Sequence, residues 1–274
     1  MSYSKKQLVD VCEKSPAFVA VHDRDGWLGV FSADAQVEDP VGAPPAPKAT
    51  GAIGRFWDVF IGPNDIQFEV RGDYTLGSSV FRDIVIHTKI AGAFQLDVPA
   101  YLLYQLDDTT GTLQIARLSA HWDLARMSLG AMKLGPKAWI AMTAMFGRML
   151  KLMGVPWVAG YLSSLWKGIG SRGLASVKQL ATAVETRDSH GLEALFEASA
   201  IVELGIVEAP ARELLTLLPA GARLRVEAPV AAGWTTSFRY TIEGVGAGPS
   251  PKSGLARLEF APDTRRIRSL RFFA

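Results

Sequence analysis

Asp39 is the residue of this 274-residue chain whose setting best suits acid–base chemistry. It stands in Val37-Glu38-Asp39-Pro40-Val41-Gly42. Pro40 biases the residue before it towards extended backbone. A carboxylate flanked by valines on a pocket wall is partly desolvated, which raises its pKa and makes it a better base near neutrality. The competing reading is a turn, because Asp-Pro is a common turn dipeptide. Trp57, Phe60, Phe68, Tyr104 and Trp122 would give an apolar, broad chamber for a flat hydrophobic ligand, with Asp39 as its one placed polar group. Each of these aromatics taken singly reads as packing. His121 neighbours Trp122 on a presumed strand, where adjacent side chains face opposite ways, so His121 is expected to face away from the cavity. His22, His87 and His190 have no metal-ligand spacing, and Cys12 is the single cysteine, so the sequence indicates no metal site, no internal disulfide and no cofactor.

The elements that would position Asp39 can be read from apolar spacing. Residues 4–31 follow helical periodicity through Leu8, Val11, Cys12, Phe18, Val19 and Trp27, and predict two short helices broken by Pro16 and by Asp23-Arg-Asp-Gly26. A helical pattern recurs at 51–60. Segments 66–71, 80–90, 94–106 and 113–122 are rich in β-branched and aromatic residues and are separated by Gly72-Asp73, Gly-Ser-Ser at 77–79, Ala-Gly-Ala at 91–93 and Asp-Asp-Thr-Thr-Gly at 107–111. Helices followed by such strands predict an α+β domain, a cone in which a curved antiparallel sheet wraps helices and leaves a cavity.

The chain also repeats itself. Residues 18–39 align without a gap on 183–204, and Val19/Val184, Asp23/Asp188, Gly26/Gly191, Phe31/Phe196, Ala33/Ala198, Ala35/Ala200, Val37/Val202 and Glu38/Glu203 are identical. Ile115-x-x-Leu118 recurs as Ile267-x-x-Leu270. A period this long signals a duplicated domain, since solenoid units span about 20–50 residues. The expected organisation is a first domain at 1–125, a Met- and Trp-rich helical connector at 126–170, and a degenerate second domain at 171–274. Asp39 corresponds to Leu204, which confines any chemistry to the first copy.

Bulk properties exclude other classes. The net charge is +2 from 29 basic and 27 acidic side chains, without the concentrated basic face that nucleic acid requires. The polar start lacks the apolar core of a signal peptide, so a cytoplasmic location is expected. In 127–167 the apolar runs are interrupted by Lys133, Lys137, Arg148 and Lys151, so no spanning helix is expected. That segment reads first as packing between the copies or across a homodimer, then as a lid, then as a surface-lying amphipathic helix.

The run Phe31-Ser-Ala-Asp-Ala-Gln-Val-Glu-Asp-Pro-Val-Gly42 resembles the signature of the ketosteroid isomerase-like, SnoaL-like branch of the nuclear-transport-factor-2-like superfamily, also described as a cystatin-like cone. The likeness extends to Asp23-Arg-Asp-Gly-Trp27, Ile53-Gly-Arg-Phe-Trp57 and Ile115-Ala-Arg-Leu-Ser-Ala-His-Trp122, and covers roughly residues 5–125. It implies proton transfer on a hydrophobic carbonyl compound such as a steroid or polyketide, with Asp39 as general base. It also implies an oxyanion-donating tyrosine on the first helix, where this chain has Ser15, and a second aspartate on the third strand, where it has Leu102. In ketosteroid isomerase that second carboxyl is kept neutral to donate a hydrogen bond. Tyr104, Tyr101, His121, Trp57 and Asp97 are the candidate replacements, with Tyr104 preferred as catalytic partner and Trp57, Phe60, Phe68, Tyr101 and Trp122 as substrate contacts. An epoxide-hydrolase-like Asp-Arg-Asp cluster built from Arg55 or Arg82 with Asp39 and Asp97 is a looser match. A non-catalytic carrier of a hydrophobic small molecule is the alternative.

Overall fold

The computed structural model describes residues 3–90, 92, 94–109, 111–133, 135–244 and 252–274. Met1, Ser2, Ala91, Ala93 and Thr110, on which the polar start and two expected turns partly rest, lie outside the described residues. The chain divides into two compact units, Met1–Asp73 with Ser78–Trp166, and Tyr74–Gly77 with Lys167–Ala274.

The first unit opens with α1 (Lys5–Ala20), started by a capping box in which Ser4 and Gln7 satisfy each other's backbone donors. Pro16 lies inside α1 rather than ending it. Burial of one face through Leu8, Val11, Cys12, Ser15 and Val19 outweighs the lost hydrogen bond at the proline. The break comes instead before α2 (Arg24–Gly29), whose N-terminus is capped by Asp23 accepting from the Gly26 N–H at 2.9 Å. Phe31, expected as helical, begins β1 (Phe31–Glu38). After β2 (Ala46–Pro47) and α3 (Ala52–Phe56), a π-helical turn at Trp57–Ile61 leads into β3 (Asn64–Leu76), β4 (Ser79–Ile90), β5 (Phe94–Asp107) and β6 (Gln114–His121). β3 runs through Gly72-Asp73, and the turn falls at Gly77, whose φ of 57° suits a residue without Cβ.

The sheet order is β2-β1-β6-β5-β4-β3. The sheet is mixed rather than wholly antiparallel, because β1 pairs parallel to β6. This pairing puts Val37 beside Leu118 and carries the chain after Glu38 to the end of β6, next to Trp122. The unit closes with α4 (Leu124–Met132), α5 (Pro136–Met153) and α6 (Val155–Ser163).

The second unit repeats the plan with α7 (Gly170–Thr186), α8 (Ser189–Leu195), β7 (Phe196–Leu204), β8 (Val207–Pro210), α9 (Leu214–Leu217), β9 (Arg223–Ala232), β10 (Thr235–Glu243), β11 (Ser253–Phe260) and β12 (Ile267–Phe273). Its sheet order, β8-β7-β12-β11-β10-β9, is the first order shifted by six strands. Asp188 caps α8 by accepting from Gly191 N–H at 2.9 Å, as Asp23 does for Gly26. The fold is therefore a duplicated α+β cone. Leu204, the counterpart of Asp39, is buried in a core with Leu192, Phe196, Val202 and Phe272.

Candidate functional site

The first unit holds a cavity of about 490 Å³, within the range of roughly 300–1,000 Å³ usual for small-molecule sites. One wall is a face of the sheet, including Phe68, Ile86, Leu102, Tyr104 and Leu118. A second comprises α1 and the π turn, through Ser15, Val19 and Phe60. The third is made by α4, α5 and α6, through residues such as Met127, Met145, Met149, Tyr161 and Leu162. Most of the segment expected as a connector thus carries a wall of this cavity, and the first unit includes it as far as Trp166.

Asp39 sits in the wall, held by its neighbours. The Val41 N–H donates to Ala120 O at 2.8 Å, which ties the Asp-Pro-Val-Gly turn to β6. Gly42, with φ of 98°, takes a left-handed conformation that a side chain would strain, and its N–H donates to Glu38 Oε1 at 2.9 Å. Glu38 Oε2 accepts from Arg117 Nη2 at 2.8 Å. The Trp122 Nε1–H donates to Asp39 Oδ1 at 2.6 Å. Asp39 is half-buried, and the surface it keeps looks into a chamber with mainly apolar walls. Burial therefore prevails over the Trp122 hydrogen bond and pushes its pKa up to about 6.

Tyr104 is fully buried on β5 and shares this cavity. Ser15 and Arg82 lie beside its hydroxyl and both favour its ionised form, and Ser15 Oγ accepts from Trp27 Nε1–H at 3.0 Å. Burial pushes the Tyr104 pKa well up, against the pull of the Arg82 charge. Arg82 is itself buried and donates to Asp73 Oδ1 at 2.5 Å, to Asp73 Oδ2 at 3.0 Å and to Glu13. The strand thus brings a polarised hydroxyl to the place where the first helix offers Ser15.

The other expected site residues divide. Phe60, Phe68 and Trp122 line the cavity. Trp57 does not: it is buried against Trp27, ring centroids 5.3 Å apart. The π turn inserts an extra residue and places Trp57 and Phe60 on different faces. Tyr101 also lies outside the lining and packs on Phe81 at 6.0 Å, because β5 alternation that turns Leu102 and Tyr104 inward turns Tyr101 outward. His121 faces away from the cavity as alternation requires, but it is buried, with its ring 5.4 Å from Phe81. Asp97 is exposed and binds His87 Nδ1 at 2.8 Å. Arg55 donates to Thr50 O and Arg82 to Asp73 and Glu13, so neither forms an Asp-Arg-Asp cluster with Asp39 and Asp97. Burial pushes the Cys12 thiol up to about 12, which removes it as a nucleophile at neutral pH.

Tyr161 is a lining residue that motif reading passes over. Its ring packs with Phe60 at 5.9 Å and Trp157 at 5.4 Å in a three-ring cluster whose other two members are 6.2 Å apart. Its pKa is raised by burial and, secondarily, by the negative charge of Asp39. Gly160 allows this approach, since a Cβ there would collide with Pro44. The available signal was a lone tyrosine in the apolar run 155–162.

No family model and no curated protein sequence matches this chain. Similar solved structures include a Δ5-3-ketosteroid isomerase from Mycobacterium sp., 26% identical, which covers 43% of this chain and 93% of its own at a TM-score of 0.39. Another is a Mycobacterium tuberculosis protein in complex with estradiol-17β-hemisuccinate, 24% identical, covering 44% of this chain and 95% of its own at a TM-score of 0.39. A third, an LEH-like epoxide hydrolase from M. tuberculosis, is 15% identical and covers 51% and 96% at a TM-score of 0.39. Each covers about half of this chain.

Proposed function

We propose that the first unit binds a hydrophobic carbonyl compound of the steroid or polyketide class and moves a proton beside the carbonyl, with Asp39 as general base. The observation that carries this reading is a carboxylate of pKa about 6 in the wall of an apolar cavity, oriented by Trp122. Such a group is ionised at neutral pH yet basic enough to accept a carbon-bound proton. Asp39 takes the proton from the carbon alpha to the carbonyl, and the electron pair shifts to oxygen as an enolate. The Tyr104 hydroxyl donates to that oxygen. Asp39 then returns the proton to the far carbon of the conjugated system, so nothing is oxidised or reduced. Trp57 and Tyr101 have no part in the contact set, which becomes Phe60, Phe68, Trp122 and Tyr161. We assign the activity to the cytoplasm, where a single buried cysteine needs no oxidative partner.

The test is turnover of 5-androstene-3,17-dione, followed by the ultraviolet absorbance of the conjugated product. Asp39→Asn should lower kcat by about 10²–10⁴ while steroid binding persists. Unchanged turnover in that variant would end the base assignment. A carrier role is the second reading, favoured by Ser15 and Leu102 in place of the two expected donors. It stands if the wild-type chain binds the steroid and leaves it unisomerised.

A further inference from the structure

The third wall of the cavity has an outer side. Leu129 on α4 is 62% exposed, Ile140 on α5 is 71% exposed and Val155 at the start of α6 is 68% exposed. Trp139 and Leu150 on α5 are exposed as well. Large apolar residues on a protein surface are ordinarily scattered singly. Here they occupy three successive helices whose opposite sides line the cavity.

Charge on the same helices is just as lopsided. Residues 124–166 contain Arg126, Lys133, Lys137, Arg148 and Lys151 and no Asp or Glu, in a chain with 29 basic and 27 acidic side chains. Among the described residues none of these five side chains forms a salt bridge, and the Arg148 Nε and Nη2 atoms are buried without a hydrogen-bond partner. A surface that is both apolar and uniformly positive is complementary to one that offers acyl chains beneath negative headgroups. A second copy of the same face would instead set positive charge against positive charge.

We propose that the outer face of α4, α5 and α6 docks on a bilayer surface containing anionic lipid. No helix among the described residues is long and apolar enough to cross a membrane, so α5 lies in the plane of the interface. Its 18 residues span about 27 Å, with Lys137 and Lys151 near the two ends and Ile140 and Leu150 between them. Basic ends reach headgroups while the apolar stretch enters the acyl boundary.

The test is co-sedimentation of the full chain with phosphatidylcholine vesicles made with and without phosphatidylglycerol. The chain should pellet with the anionic vesicles and be largely released by salt. Lys133→Gln/Lys137→Gln should weaken partitioning roughly 25-fold, about fivefold for each lysine near the surface. Leu129→Gln/Ile140→Gln should weaken it at every salt concentration, and circular dichroism melts matching wild type would show that both variants fold. Should either variant unfold, quenching of wild-type tryptophan fluorescence by brominated acyl chains replaces it as the readout of insertion. A chain that stays in the supernatant with anionic vesicles at low salt overturns the proposal. So does binding indifferent to Leu129→Gln/Ile140→Gln, or, where those variants unfold, the absence of quenching. A dimer that Leu129→Gln/Ile140→Gln dissociates, without vesicle binding, would assign the face to a second copy instead.

Discussion

Replacing Asp39 by asparagine should make this protein more stable at neutral pH, and the gain should vanish in acid. Burial raises the Asp39 carboxyl from 3.8 to about 6 in the folded chain. A carboxyl whose folded pKa exceeds its unfolded value binds protons preferentially in the native state. Its contribution is therefore most favourable below about pH 3.8 and is lost as pH rises through 6. A shift of about two units corresponds to at most about 3 kcal/mol of destabilisation above pH 7. Asparagine resembles the protonated carboxyl in shape and has no charge to desolvate. Urea unfolding of wild type and Asp39→Asn, followed at pH 4 and pH 7.5, should give a stability difference that grows in favour of the variant by about 2–3 kcal/mol between those values. A difference that is flat with pH, or that grows in favour of wild type, would refute the claim that Asp39 is held ionised against its surroundings.

Trp122→Phe removes the donor that opposes burial at Asp39, so the acid limb of a kcat/KM profile should move upward from about 6 by about one pH unit. Tyr104→Phe should lower kcat by about 10²–10³ with little change in KM, the pattern of a lost oxyanion donor measured by steady-state kinetics. Leu204→Asp would bury an unpaired carboxylate in the second unit, where no cavity-facing role was assigned to that position. It should cost about 3 kcal/mol or more in denaturant unfolding and leave the steroid affinity of the first unit unchanged.

The duplication was legible because it is written in residues with local duties. Asp23 and Asp188 cap helices through the same glycine spacing, and Phe31 and Phe196 open strands that pair with Ile115 and Ile267. Asp39 was legible for a similar reason, since the turn that holds it lies within six residues of sequence. What the sequence hid was parity and sidedness. Tyr101 and Tyr104 both suit a pocket by composition; three apart on β5 they face opposite ways, and composition does not say which of them faces inward. Trp57 and Phe60 sit three apart and would share the face of a regular helix, but the π turn parts them. The helices at 124–163 are apolar on both sides, so periodicity alone could not say which side closes the cavity.

The buried chain from Glu13 through Arg82 to Tyr104 reaches from open solvent to the cavity wall. The Glu13 side chain is half exposed, whereas Arg82 is sealed beneath it. The charge that draws the Tyr104 hydroxyl towards ionisation is therefore held behind the ligand chamber, by a residue that is no part of its lining. A fold arranged in this way separates two properties that usually drift together under mutation, what the chamber admits and how strongly it polarises what it holds.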